Sequence, residues 1–125
     1  RLSIMDRQLE QTRDGWINAF FTGNYEVLVQ FEAPSFKVIY EKEGITESSV
    51  TRYEKIAHAV KNGVWKPQKP EISSEEFEFD REQTHCKVTL ELENELRQIQ
   101  ELWIYDSDWK IIELRFCKVR KVQNI

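Results

Sequence analysis

Glycine and proline are scarce in this chain, at 4 and 3 of its 125 residues. That scarcity argues against disorder and for long regular elements. Cysteine is scarce too: Cys86 and Cys117 are the only two, too few for a secreted scaffold held by disulfides. Both fall at apolar strand positions, where unpaired cysteine behaves as a small buried hydrophobe. No apolar run approaches the ~18 residues of a membrane span. Neither sign of charge dominates: 18 Lys+Arg against 22 Asp+Glu leave a net charge of −4, which gives no electrostatic case for nucleic acid or an anionic membrane as partner. The basic residues Lys118, Arg120 and Lys121 read as the solvated end of a strand. His58 and His85, the only histidines, lie far apart without spaced acidic partners and form no metal signature. No glycine-rich phosphate loop, cysteine-pair motif or serine elbow is present. No cofactor or metal is expected.

Apolar residues are plentiful, at 40%, with 4 Trp and 7 Phe. That is enough for one core without staples, and the length fits one domain, residues 1–125. The chain begins at Arg1 with its single methionine at Met5. A longer gene product and a cytoplasmic location are the expectations.

The amino-terminal half reads as helical. Leu2, Met5, Leu9, Thr12, Trp16, Ala19 and Phe20 recur at three- and four-residue spacing, the stripe of a long amphipathic helix that ends near Thr22-Gly23. Asn24 caps a short second helix that stops before Pro34. Residues 35–41 alternate as a strand, with Phe36, Val38 and Tyr40 on one face. A turn at Glu43-Gly44 and a short return at Ile45-Thr46 follow. A third helix starts around Ser48 or Ser49, with Val50, Tyr53, Ile56, Ala57 and Val60 as its buried stripe, and closes at Asn62-Gly63. The segment VWKPQKP is an extended linker.

Residues 77–119 read as long antiparallel strands. Cys86, Val88, Leu90 and Leu92 oppose His85, Lys87, Thr89 and Glu91, so that strand has one wet face. The acidic run Glu75, Glu76, Glu78 and Asp80 reads as a solvated strand edge. In the next strand Leu96, Gln98, Gln100, Leu102 and Ile104 face one way and Arg97, Ile99, Glu101, Trp103 and Tyr105 the other. In the last, Ile111, Glu113, Arg115, Cys117 and Val119 oppose Ile112, Leu114, Phe116 and Lys118. Apolar residues on both faces call for a strongly bent sheet or a second subunit, and a partner is the favoured reading.

The order helix, short helix, hairpin, helix and long strands resembles the nuclear transport factor 2-like superfamily, which includes SnoaL-like proteins. The local likeness lies in DGWINAFFTGNYEVLVQFEAPSFKVIY (14–40) and in the closing hairpin YDSDWKIIELRF (105–116). The resemblance implies an α+β cone: a curved mixed or antiparallel sheet with three helices from the amino-terminal half on its concave face, around a conical pocket. It also implies a homodimer through the outer sheet face. The family spans cyclases, dehydratases, isomerases, transport factors and kinase association domains, so it implies no single activity.

The functional expectation is a non-catalytic domain that binds a small apolar or amphipathic molecule or a peptide. The alternative is a cofactor-free lyase, cyclase or isomerase that uses a polar cluster in the pocket, and whether the protein is an enzyme stays open. The candidate pocket residues are Trp16, Tyr40, Tyr53, Gln100, Glu113 and Arg115. Tyr40 and Tyr53 combine a core-facing phase with early placement. Gln100, Glu113 and Arg115 share an apolar strand face, where charged groups must be paired or used; if that face is the outer one, they become dimer contacts. A third class, a filled association domain, would fall into monomers on changes at Trp103 or Phe116.

Overall fold

The computed structural model describes residues 4–93 and 97–118. Two helices open the chain, α1 (Ile4–Thr22) and α2 (Tyr25–Phe31), and a third, α3 (Ser49–Lys61), follows a hairpin. The strands are β1 (Glu32–Tyr40), β2 (Ile45–Ser48), β3 (Ile72–Phe79), β4 (His85–Leu92), β5 (Gln98–Asp106) and β6 (Asp108–Phe116). They form one sheet in the order β2-β1-β6-β5-β4-β3, antiparallel except where β1 runs parallel to β6.

The local signals work as the sequence suggests. Asn24 and Ser48 cap α2 and α3, each side chain accepting from the backbone N–H three residues on. Gly23 ends α1 at φ +75°, and a Cβ there would lie 2.7 Å from both Trp65 and Val60, so only glycine serves. Pro34 sits where the β1–β6 register shifts between Glu32 and Lys37, so its missing N–H costs no ladder bond.

The expected cone is not what forms. The sheet is open, neither closed nor strongly curled: its edges are β2 and β3, which do not pair with each other. Curvature needs bulges and glycine kinks. Gly15, Gly23, Gly44 and Gly63 all lie outside the strands, and the register shifts are spread over three different ladders. The acidic residues Glu75, Glu76 and Glu78 do mark an edge, on β3.

The core lies between the helices and one sheet face. Leu9 and Trp16 of α1, Leu28 of α2 and Ile56 of α3 meet Val38, Val88, Trp103, Trp109 and Ile111. Two assignments of phase change. The register shift between Leu102 and Trp103 places Ile111 opposite Trp103 and Glu113 opposite Leu102, so Ile111 turns into the core, away from the face of Glu113 and Arg115. Trp103 (1% exposed) and Phe116 likewise pack inward, not on the outer face. The buried face of α1 carries Arg13 where Thr12 was expected. On α3 it carries Arg52 and Ile56, while Val50 and Val60 are exposed. Leu96, Val119, Arg120 and Lys121 lie outside the described residues.

Candidate functional site

A cavity of about 570 Å³ opens between the helices and the sheet. Its floor follows the strand register. Val38 lies beside Leu114, which faces Glu101; Tyr40 lies beside Phe116, which faces Ile99, which faces Leu90. Trp16, Ile17 and Phe20 of α1 form the opposite wall, and residues 67–70 of the linker border it. The linker is held by Trp65, whose Nε1 donates to the Phe20 carbonyl at 2.8 Å while its ring meets Phe20 edge to face.

Two glutamates are built into this apolar setting. Glu101, 2% exposed, stands in the floor between Val88 and Leu114. Arg13 donates to both its oxygens, from Nε at 2.6 Å and Nη2 at 2.8 Å, and Trp103 Nε1 donates at 2.7 Å. Burial opposes the Arg13 charge, but the hydrogen bonds and charge of Glu101 outweigh it and hold the guanidinium more firmly protonated. Glu32, 4% exposed, accepts from Trp16 Nε1 at 2.7 Å, Arg52 Nη1 at 2.8 Å and Tyr53 Oη at 2.6 Å. The clusters meet where Trp16 and Trp103 pack edge to face, centroids 5.5 Å apart. Each carboxylate thus accepts three hydrogen bonds, two of them from an arginine and an indole N–H.

Of the residues singled out from sequence, Trp16 and Tyr40 line the cavity. Tyr40 stacks on Phe116 at 5.3 Å, and burial, then Glu47, raises its phenol above the ordinary value. Tyr53 lies behind the wall as a donor to Glu32. Gln100, Glu113 and Arg115 sit together on the opposite, open face: Gln100 faces Arg115, and Glu113 faces Leu102. There Arg115 bridges Glu113 and Glu41 at 3.2 and 2.8 Å. The Lys118 backbone N–H, then Arg115, lowers the Glu41 carboxyl below its usual range. His58 and His85 are exposed, bonded to Asn62 and Asp80 respectively. No disulfide joins the cysteines; burial pushes the Cys86 thiol up to about 12, so it stays protonated.

The sequence reading passed over Arg13, Arg52, Glu32 and Glu101. Arg13 follows Leu9 by four residues and precedes Trp16 by three; Arg52 precedes Ile56 by four. Each was a charge on a helical core stripe. Glu101 was already in phase with Ile99 and Trp103. Glu32, the first residue of β1, gave no such signal.

Among the described residues no His, Cys, Asp and Glu group could hold a metal ion, and no helix is long and apolar enough to cross a membrane. No family model and no curated protein matches the sequence. Solved structures do. A protein from Cytophaga hutchinsonii described as NTF2-like superposes with a TM-score of 0.70 at 13% identity, covering 92% of this chain and 98% of that one. The chain has the nuclear transport factor 2-like fold. An NTF2-like protein of unknown function in nutrient uptake from Rhodospirillum rubrum gives 0.67 at 14% identity, covering 86% and 95%. The CaMKII hub of S. rosetta gives 0.67 at 10%, covering 89% and 94%. In all, 131 solved chains resemble it; at the identities given above the likeness is one of fold and not of activity.

Proposed function

We propose that this chain is a non-catalytic domain that binds a small amphipathic molecule in the cavity beneath its helices. The observation that carries this reading is the cavity itself: about 570 Å³, within the range of small-molecule sites, and mainly apolar in its surface. The engagement of its buried carboxylate, Glu101, supports a non-catalytic role. A general base, most often an imidazole or a carboxylate, must lie within reach of the substrate proton. Glu101 accepts three hydrogen bonds from the protein, the other carboxylate of the lining, Glu75, stands 3.7 Å from Arg13 on the exposed edge strand, and neither His58 nor His85 lines the cavity.

Filling the cavity tests the reading. Leu114, opposite Glu101 on the floor, is replaced by tryptophan, and binding of the apolar anion anilinonaphthalene sulfonate is followed by fluorescence. The parent protein is expected to take up one dye per chain, and Leu114→Trp to lose that site while melting near the parent temperature. Undiminished dye binding in the folded variant would place the dye elsewhere and sink the proposal.

We further propose that a second copy of the chain covers the open face of the sheet. The half-buried Leu102 and Ile104 are spaced two apart on that face, and Leu102 and Ile112 line a shallow hollow beside Lys87. Sedimentation should give a dimer for the parent and a monomer for Leu102→Glu. A monomeric parent would contradict this.

A further inference from the structure

The two buried arginines of the cavity are satisfied unequally. Arg13 turns Nε and Nη2 onto Glu101, and its Nη1 lies 3.7 Å from Glu75. Arg52 gives Glu32 one hydrogen bond, from Nη1. It is 6% exposed, and its guanidinium lies 5.3 Å from the ring centroids of both Phe20 and Phe36. Among the described residues no acceptor meets its Nε or Nη2. These donors are not sealed in protein either: the one enclosed side-chain nitrogen or oxygen without a partner, among the described residues, is Trp109 Nε1. They therefore reach accessible space, and Arg52 lines the cavity. Nε and Nη2 of this otherwise buried cation are thus open to an acceptor in that space. Glu32 compensates it only in part, because Trp16 and Tyr53 draw on the same carboxylate.

The charge around the cavity points the same way. Arg13, Arg52, Lys69 and Arg97 line it against Glu75 and Glu101, a cationic surplus in a chain whose net charge is −4. We infer that the cavity selects a small amphipathic monoanion, a carboxylate on an apolar chain, whose oxygens accept from Nε and Nη2 of Arg52. The inference rests on the binding role proposed above and adds the headgroup. Nε and Nη2 of a guanidinium present parallel N–H bonds that match the two oxygens of a carboxylate. The apolar chain then lies along Phe20, Val38 and Leu114. An alcohol of equal length makes a neutral contact at most, and an ammonium meets like charge.

The test is calorimetric titration with octanoate, octanol and octylammonium, which share a tail and differ in the head. Octanoate is expected to bind about tenfold or more tighter than octanol, the increment of a charge-assisted hydrogen bond, and octylammonium more weakly than octanol. Arg52→Lys keeps a cation beside Glu32 but loses the fork; it should shrink the advantage of octanoate over octanol several-fold. Should that variant fail to fold, the Arg52 Nε–H resonance of the parent protein carries the same test, shifting with octanoate and not with octanol. Equal affinity for octanol and octanoate would overturn the headgroup inference and leave the cavity reading standing. Binding of none of the three would overturn the cavity reading itself.

Discussion

Glu101→Ala should destabilise the protein by about 3–5 kcal/mol, the cost of leaving a buried charge without its partner. Arg13, 4% exposed, places two of its donors on Glu101, and Trp103 adds a third. Among the described residues the other carboxylate within ion-pair reach of it is Glu75, at 3.7 Å, on the exposed edge strand, too distant for a full hydrogen bond. Removing Glu101 therefore strands a guanidinium and an indole N–H inside apolar walls. The double variant Arg13→Met/Glu101→Leu removes both charges and fills similar volume. It should recover most of the loss and end within about 1–2 kcal/mol of the parent, because a buried pair gains little over well-packed apolar residues. Urea denaturation of the parent, both single variants and the double variant closes the cycle. A cost below about 1 kcal/mol for Glu101→Ala would mean that the pair behaves as a solvated surface bridge.

Glu32→Ala should act through several partners at once, with a loss of similar size, about 3–5 kcal/mol, and a change in alkaline titration. Trp16, Arg52 and Tyr53 all donate to Glu32. Burial first, then the hydrogen bond and charge of Glu32, raises the Tyr53 phenol well above its ordinary value. A pKa raised on folding means that the folded state holds the proton more tightly. The resulting stability is fully present below the unfolded value of about 10 and is lost as pH rises through the folded value. The parent should therefore lose stability with rising pH only above about 10 from this source. In Glu32→Ala the burial contribution stays and the hydrogen-bond contribution goes, so Tyr53 should ionise at lower pH. Ultraviolet difference titration of the variant against the parent and a Tyr53→Phe control measures the shift. An unchanged tyrosine titration would show that Glu32 does not govern Tyr53.

How much of this was legible in the sequence differs from element to element. The helices and strands follow from periodicities that burial on one face imposes, so the stripe of α1 and the alternation of β4 stood out. The stop at Gly23 and the caps at Asn24 and Ser48 followed from local chemistry that needs no tertiary context. Curvature did not follow, because it depends on how register shifts add up across ladders that the sequence does not align. The same limit misplaced Ile111: one extra residue in β6 flips the side chains before it relative to those after it. It also left open which strand face looks into the cavity, so Gln100, Glu113 and Arg115 were gathered with Trp16 and Tyr40, from which the sheet itself separates them.

Arg13 and Arg52 were missed for a different reason. A charged residue on a helix is usually solvated, and only the facing Glu101 and Glu32 make these two exceptions. Glu101 lies 88 residues from Arg13 and Glu32 lies 20 from Arg52. Pairing at such separations is a product of the fold, and a local pattern carries no trace of it.

The central claim is that a small amphipathic anion enters between the helices and the sheet. Its most direct test follows the indole N–H resonances of the four tryptophans while octanoate is added. Trp16 lines the cavity and shares Glu32 with Arg52, whereas Trp109 packs between Phe79 and Tyr105 away from it. A saturable shift of the Trp16 resonance with Trp109 unmoved is the predicted result. A still Trp16 resonance at octanoate concentrations that perturb other parts of the protein would contradict the account.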